Sequence, residues 1–312
     1  MPKFEDFYFE SSTRKNKIHA LKCIPDAAPR AVIQIAHGIA EHVERYRDFM
    51  SFLAANGFVA VANDHLGHGK SIAAPSEQGF FAETNGWRHV VDDMDLLREK
   101  MRQEFPDLPY IFFGHSMGSF LTRTYMILHP EKYDAAILSG TGHQAKGLIT
   151  AGSAAAELMT KLKGPRADGT FLNNMAFGSY CKKIANIRTP FDWLSRASAQ
   201  VDKYISDPLC GFVAKVSLYR DMMSGVKFIT EQKNIDRMNK DRPVYFMSGE
   251  DDPVGDYGEG VKRAYQAFLR AGLHDVTMHL YPGGRHEMLN EINKEDVYQD
   301  ILRWLNSKVD KL

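Results

Sequence analysis

Short apolar runs that alternate with longer amphipathic segments constrain the fold of this 312-residue chain more than any other feature. The runs lie at residues 31–38, 58–64, 110–116, 133–140, 243–250 and 276–283. Each has roughly four to six apolar residues closed by glycine or aspartate, a pattern typical of parallel strands covered on both faces. The alternation of such strands with helices predicts an α/β fold built on a doubly wound, mostly parallel sheet.

Amphipathic segments between and after the runs predict helices at residues 90–105, 258–272 and 295–309. In the first of them, apolar residues recur at spacings of three and four and so share one helix face. Residues 7–24 have a different pattern, with two strand-like stretches around a polar turn. We interpret them as an antiparallel hairpin at the edge of the sheet.

The alternation is interrupted between about residues 142 and 240, where the sequence has no clear strand pattern. The helix-like segments there are 147–164, 189–208 and 213–229. An all-helical insertion between two strands is expected to lie over the carboxyl ends of the strands, where open α/β sheets bind their ligands. The sequence therefore predicts a core formed by residues 1–141 and 241–312, and a helical cap formed by residues 142–240.

The charge balance and the cysteines narrow the classes of function. The chain has 39 basic and 39 acidic residues and no long basic run, so a nucleic-acid partner is not expected. The first residues lack a signal-peptide pattern, and no stretch approaches the roughly 20 apolar residues that cross a bilayer. Cys23, Cys181 and Cys210 lack CxxC spacing, which argues against a disulfide framework or a zinc cluster. A cytoplasmic, reduced protein is the resulting expectation.

The stretch IFFGHSMGSF, residues 111–120, contains a Gly-x-Ser-x-Gly pattern centred on Ser116. The pentapeptide alone also arises by chance, but here a strand-like run precedes it and a helix-like run follows. A nucleophile elbow needs small residues two positions before and after its serine, because the strand-to-helix turn is too tight for side chains. Gly114 and Gly118 meet this need. The pattern therefore predicts that Ser116 is a nucleophile.

A serine hydroxyl needs a base to take its proton and a carboxylate to orient that base. In α/β-hydrolases these residues follow the serine in the order acid, then histidine. His286 lies just past the last predicted strand and is the expected base. Past the preceding strand, Glu250, Asp251 and Asp252 are adjacent. We favour Asp252, which fits the usual Gly-x-x-Asp pattern, and Asp251 remains the alternative.

The tetrahedral intermediate of acyl transfer also needs hydrogen-bond donors for its oxyanion. One expected donor is the backbone N–H of Met117, directly after the nucleophile. The other is expected from the loop after the strand at 31–38, through the backbone N–H of Ile39.

His65 and His68 are close enough in sequence to suggest a pair of metal ligands. No further ligand cluster of His, Asp or Cys accompanies them at metal-ligand spacing, so we expect no metal site.

Several longer motifs resemble one family. They are HGIAEHVERY (37–46), NDHLGHGKS (63–71), GHSMGS (114–119), YISDPLCGF (204–212), SGEDDPVG (248–255) and GGRHE (283–287). Together they are similar to monoglyceride lipases and bacterial lysophospholipases, which are grouped with the serine aminopeptidase-like α/β-hydrolases. The resemblance implies the α/β-hydrolase fold with a helical cap, no cofactor, and hydrolysis of acyl esters.

Two positions depart from that family. Many monoglyceride lipases have a second histidine shortly after the catalytic one, near the glycerol hydroxyls, where this chain offers Leu289. This difference bears on monoglyceride specificity and not on the predicted triad. Ser119 replaces the glycine or alanine that often follows the elbow, a change that we interpret as neutral.

The leading hypothesis is a serine hydrolase that cleaves acyl esters of the monoacylglycerol or lysophospholipid type through an acyl-enzyme. An iminopeptidase-like aminopeptidase is the alternative, and it would need cap carboxylates to hold a substrate amine. The candidates are Glu157, Asp168, Asp192, Asp202 and Asp207, none of which stands out. A binding module without catalysis would need a broken triad. The sequence leaves two alternatives open. The apolar cap residues form either an acyl pocket or only the cores between helices, and the cap either contacts membrane surfaces or does not.

Overall fold

A computed structural model describes residues 3–312 of the chain. Within those residues the strands are β1 (Lys3–Glu10), β2 (Lys17–Ile24), β3 (Ala31–Ala36), β4 (Phe58–Asn63), β5 (Tyr110–His115), β6 (Ala135–Ser139), β7 (Val244–Gly249) and β8 (Val276–Tyr281). The α-helices are α1 (Arg47–Ala55), α2 (Gly86–Glu104), α3 (Met117–Leu128), α4 (Lys146–Lys163), α5 (Thr170–Phe177), α6 (Ser198–Ser206), α7 (Val216–Thr230), α8 (Gln232–Ile235), α9 (Glu259–Arg270) and α10 (Lys294–Val309).

The strands form a single eight-stranded sheet in the order β1-β2-β4-β3-β5-β6-β7-β8. β1 pairs antiparallel with β2, and β2 pairs antiparallel with β4, while all pairs from β4 to β8 are parallel. The predicted amino-terminal hairpin and the mostly parallel sheet are therefore confirmed. The strand order reverses at β3, which lies between β4 and β5. Open α/β sheets bind ligands at the carboxyl ends of the strands next to such a reversal.

Hydrophobic clusters cover both faces of the sheet. Consecutive strand residues point to opposite faces, so Phe112 joins one cluster and Phe113 the other. The first cluster includes apolar residues of α2, α3 and α9, and the second includes those of α1 and α10. Because β3 to β7 are sandwiched in this way, every residue in them is buried, as their apolar runs predict.

β8 does not follow the prediction of a strand covered on both faces. Its residues alternate between half-buried and exposed until Tyr281, with Thr277 and His279 exposed. The reason is its place at the edge of the sheet, where it pairs only with β7. An edge strand can leave one face open to water and so needs alternation rather than continuous apolarity.

The segment between β6 and β7 contains five helices, α4 to α8, in the part of the chain predicted to be the cap. The predicted helix at 189–208 is wrong in its first half, because only Ser198–Ser206 is helical and α5 was not predicted. Asp192 explains the difference, since its carboxylate accepts hydrogen bonds from the Arg188 N–H and the Thr189 hydroxyl, each at 2.6 Å. These local bonds compete with a helix. Within residues 3–312, no helix has the length and apolarity needed to cross a membrane.

Candidate active site

Ser116 stands between the end of β5 and the start of α3 in a strained backbone conformation. Its φ of 53° and ψ of −122° are sparsely populated for a residue with a side chain. Its N–H donates to the carbonyl oxygen of Ser139, at the end of β6, over 2.9 Å. This geometry is that of a nucleophile elbow, which presents the serine at the carboxyl edge of the sheet.

The glycines on either side of Ser116 are required by close approach. A Cβ atom on Gly118 would lie 2.0 Å from the carbonyl oxygen of Ala36, at the end of β3. A Cβ atom on Gly114 would lie 2.5 Å from both the Gly118 carbonyl oxygen and the Thr122 hydroxyl. Real Cβ atoms are essentially never found so close to other heavy atoms. Gly118 therefore allows the elbow to pack against β3, and Gly114 allows the end of β5 to pack against α3.

His286 and Asp252 are joined by a buried hydrogen bond of 2.9 Å between Nδ1 and Oδ2. Asp252 is fully buried, and its oxygens also accept hydrogen bonds from the Ser248 hydroxyl and the Val254 N–H. Burial by itself lowers the pKa of His286, but the attraction of the Asp252 carboxylate outweighs this effect, so the pKa is raised above its ordinary value. The neighbouring Asp251 is exposed, and His286 Nδ1 is paired with Asp252 instead.

Ser116 and His286 line the same cavity without a direct hydrogen bond between them. In hydrolases this contact is often loose without substrate and tightens in the substrate complex. The backbone N–H of His286 donates to the carbonyl oxygen of Trp193, and its ring contacts the rings of Trp193 and His115, at centroid distances of 5.0 and 4.7 Å. The imidazole is thus packed against two neighbouring rings.

Of the two predicted oxyanion donors, Ile39 lines the same cavity, and Met117 directly follows Ser116, which also lines it. The N–H groups of Ile39 and Met117 donate to no acceptor among residues 3–312. The loop that carries Ile39 packs directly on the elbow, because a Cβ atom on Gly38 would lie 3.1 Å from Ser116 Cβ. The Gly38 N–H donates to Glu41 Oε1 over 2.5 Å, which fixes the start of the loop.

A buried charge network behind the site was not assigned from the sequence. Arg45 donates to Glu41 over 2.6 Å and makes two bonds of 2.7 Å to Glu287, the residue after His286. Burial favours protonation of Glu41, but the Arg45 guanidinium and nearby imidazoles bring the pKa of this carboxyl down to about 2. The network ties the loop after β3 to the loop that carries His286. The only feature of the sequence that indicates this network is the set of charged residues in the HGIAEHVERY motif.

The cavity has a volume of about 240 Å³. Its β-sheet side consists of the loop after β3, the elbow and His286. Its opposite side comes from the segment between β6 and β7, through Phe177, Cys181, Phe191, Trp193, Leu194 and Phe212. Trp193 and Leu194 are also part of the hydrophobic core. The apolar residues of the insertion therefore both pack the helices and line the cavity.

The two histidines considered as metal ligands lie outside this cavity. His65 and His68 are fully buried around His37, and burial lowers the pKa of each imidazole, to about 3 for His68. No carboxylate or thiol among residues 3–312 completes a ligand group with them.

Ligand atoms of His42, Asp207 and Cys210 do lie within 4.8 Å of one another. His42 and Asp207 are already paired at 2.8 Å, and burial raises the pKa of the Cys210 thiol, which disfavours the thiolate that metals require. We derive no metal chemistry from this group.

None of the carboxylates considered for an aminopeptidase lines the cavity. Glu157, Asp168 and Asp202 are exposed. Asp192 binds its own turn, and Asp207 pairs with His42. The acidic residues that do line the cavity within residues 3–312 are Glu41 and Glu287, which Arg45 already neutralises.

The sheet, the elbow and the order of these residues define the class of protein as an α/β-hydrolase. Residues 27–293 match the family model described as serine aminopeptidase, S33, and the chain belongs to that family. The family resemblance of the sequence motifs is thereby confirmed.

The relatives include proteins named for lipase and esterase activity. The chain is 28% identical over 291 residues to a monoacylglycerol lipase of Mycolicibacterium smegmatis, covering 91% of this chain and 90% of that one. It is 26% identical over 294 residues to the monoglyceride lipase of Homo sapiens, covering 91% and 85%. Among solved structures, a thermostable carboxyl esterase from Bacillus coagulans in complex with glycerol superposes with a TM-score of 0.91, at 29% identity, covering 98% and 99%.

Proposed function

We propose that this protein hydrolyses acyl esters of the monoacylglycerol or lysophospholipid type through a covalent intermediate on Ser116. That it is a serine ester hydrolase follows from its family and from the esterase and lipases to which it is similar over nine-tenths of its length. The observation that carries the mechanism is the buried 2.9 Å bond between Asp252 and His286, beside the strained Ser116.

In the proposed mechanism, the Ser116 oxygen attacks the ester carbonyl carbon while His286 Nε2 takes the hydroxyl proton. Asp252 holds the Nδ1–H tautomer of the ring and stabilises the imidazolium. The N–H groups of Ile39 and Met117 stabilise the oxyanion. The intermediate collapses to the acyl-enzyme, and His286 gives its proton to the leaving alcohol. Water, deprotonated by His286, then releases the acid and restores Ser116.

The cavity supports a substrate with one apolar chain. Its insertion side is mostly aromatic and apolar, which suits an acyl group, and its volume of about 240 Å³ favours one chain over two. We accordingly propose that residues 142–240 act as a cap over the site. Leu289 lies in the loop after β8 and is buried, so the second histidine of many monoglyceride lipases has no counterpart here. The leaving group is therefore open to alcohols other than glycerol.

The aminopeptidase alternative lacks a carboxylate for the substrate amine, because Glu41 and Glu287 are both paired with Arg45. The only observation that favours an aminopeptidase is the description of the matching family model, serine aminopeptidase. Purified protein should cleave monoacylglycerol and p-nitrophenyl esters but not proline p-nitroanilide. Turnover of the anilide at a comparable rate would reverse this preference.

The experiment that tests the nucleophile uses a fluorophosphonate probe and the variant Ser116→Ala. The wild-type protein should be labelled on Ser116, as mapped by peptide mass spectrometry, and the variant should lose both labelling and ester turnover while keeping its melting temperature. An active variant, or a label on another residue, would reject the mechanism. A protein that binds esters without labelling would be a binding module.

Membrane-surface contact through the cap is a further part of the proposal. On α4, the exposed residues Leu148, Leu158 and Leu162 fall on one helix face with exposed fractions of 66%, 57% and 74%. Lys161 and Lys163 lie beside them, as is common for helices that lie on membranes. In a sedimentation assay, the wild-type protein should pellet with phosphatidylcholine vesicles. A smaller fraction of the double variant Leu158→Asp, Leu162→Asp should pellet with them.

The matched control for vesicle binding is Leu96→Asp, which replaces an exposed leucine on α2. Equal sedimentation of the double variant and the wild type would contradict contact through α4. For the location of the protein we propose the cytoplasm, where its three free cysteines would stay reduced.

A further inference from the structure

Ala40 follows the candidate oxyanion donor Ile39 and has an unusual backbone. Its φ of 54° lies in the left-handed region, which costs free energy for a residue with a Cβ atom. Such a conformation persists when surrounding contacts hold it. Its carbonyl oxygen accepts two hydrogen bonds, from the Gly211 N–H at 2.9 Å and from the Tyr204 hydroxyl at 3.0 Å. Both donors belong to the insertion between β6 and β7.

We propose that residues 204–211, here called the clamp, position the oxyanion loop, and that Tyr204 is a positioning residue acting on the Ile39 N–H through Ala40. Ile39 has a fixed neighbour on each side. Before it, the Gly38 N–H is bound to Glu41, and after it the Ala40 carbonyl is bound to the clamp. The direction of the Ile39 N–H is therefore set from both ends.

Two further contacts join the clamp to the same loop. Asp207 pairs with His42 at 2.8 Å, and the Arg45 guanidinium lies 4.9 Å from the centre of the Tyr204 ring. Arg45 in turn binds Glu287, next to His286. The clamp thus contacts the segment after Ile39 at several points. It is also linked to the loop of His286, because Arg45 contacts both Tyr204 and Glu287. Preorganised donors of this kind stabilise the transition state more than the ground state.

The inference rests on the proposed function, and Tyr204→Phe tests it. The variant keeps the ring and its contact with Arg45 but removes the hydroxyl bond to Ala40, while the Gly211 N–H remains. We expect kcat/KM to fall by about three- to tenfold, the loss of one hydrogen bond expressed in the transition state.

The leaving group separates positioning from direct substrate contact, because Tyr204 also lines the cavity. The oxyanion belongs to the acyl carbonyl, so kcat/KM should fall by the same factor for p-nitrophenyl octanoate and 1-octanoylglycerol. A loss confined to the glycerol ester would make Tyr204 a leaving-group contact and overturn the inference.

An alkylboronic acid provides a second readout. The Ser116 oxygen adds to the trivalent boron, the proton passes to His286, and a boron-bound oxygen occupies the oxyanion hole. The inhibition constant of Tyr204→Phe should rise by the same factor by which kcat/KM falls. An unchanged inhibition constant would contradict a role in oxyanion binding.

The matched control is Tyr125→Phe, which removes a hydroxyl bond of 2.7 Å to Asp95 from a buried tyrosine. Tyr125 lies about 13 Å along α3 from Ser116, and this variant should keep its kcat/KM and inhibition constant. Equal losses in both variants would indicate general destabilisation and overturn the inference. Activity in Ser116→Ala would instead reject the proposed function, whereas a normal Tyr204→Phe beside an inactive Ser116→Ala would reject only the clamp.

Discussion

His286 Nδ1 lies 2.9 Å from Asp252 Oδ2, with both side chains buried and His286 lining the cavity. The two residues come from loops after neighbouring strands, β8 and β7, which are paired along their whole length. Parallel pairing brings both loops to the same edge of the sheet. This contact places Asp252, rather than the adjacent Asp251, against the imidazole.

Asp252→Asn should lower kcat by roughly 1,000- to 10,000-fold, because an amide cannot hold the required tautomer or stabilise the imidazolium. The control Asp251→Asn changes an exposed carboxylate one residue away and should keep kcat within about twofold of wild type. Steady-state hydrolysis of a p-nitrophenyl ester measures both. Equal activity of the two variants would remove Asp252 from the proposed triad.

The raised pKa of His286 predicts the acid side of the pH profile. The imidazole must be neutral to take the Ser116 proton, so kcat/KM should fall as the pH drops through a value above the ordinary 6.5 or so. In Asp252→Asn the carboxylate attraction is lost, the pKa of His286 falls, and the residual activity should persist to lower pH. An acid limb at the same pH in both proteins would contradict this electrostatic account. A neutral ester measured from about pH 5 to 9 provides the profile.

Gly118→Ala should destabilise the fold, because the new Cβ atom would meet the Ala36 carbonyl oxygen at 2.0 Å. Moving α3 away from β3 is expected to lower the free energy of unfolding by about 1–3 kcal/mol and to displace Ser116. The control Gly147→Ala, on α4, meets nothing within 4 Å and should be neutral or stabilise by up to about 1 kcal/mol. Urea unfolding measures both, and equal stability of the two variants would refute the close-approach argument.

Arg45→Met should leave Glu41 and Glu287 buried without their cation and lower the free energy of unfolding by about 3–5 kcal/mol. In the wild type, the pKa of Glu41 is depressed to about 2, so its contribution to stability is present above its ordinary pKa and lost as the pH falls toward 2. The variant removes that contribution, so the difference in stability between the two proteins should shrink in acid.

The control for the charge network is Arg166→Met, which breaks an exposed pair with Glu83. Exposed pairs contribute little, and the change should stay within about 1 kcal/mol. Similar losses for both arginine variants in urea unfolding would mean that burial adds nothing to the Arg45 network.

Local sequence patterns were sufficient for most of the secondary structure. The apolar run at 58–64 is β4, Phe58–Asn63, and the segment at 295–309 is α10, Lys294–Val309. These predictions hold because periodicity and burial are linked wherever an element is covered in a regular way. They fail at β8, where the edge position changes the burial, and at 189–197, where side chains of a turn bind the backbone.

The sequence by itself determined the alternation of strands and helices and the strand-to-helix turn at Ser116, and it predicts the proposed order of serine, acid and histidine. Spacing along the chain carries this information, because the elbow and the strand ends are local features. Only the tertiary structure decided which acidic residue meets His286, and that Arg45 bonds to Glu287 across 242 positions and Tyr204 to Ala40 across 164. Such contacts depend on strand order and on how the insertion packs over the sheet, and no local pattern encodes them.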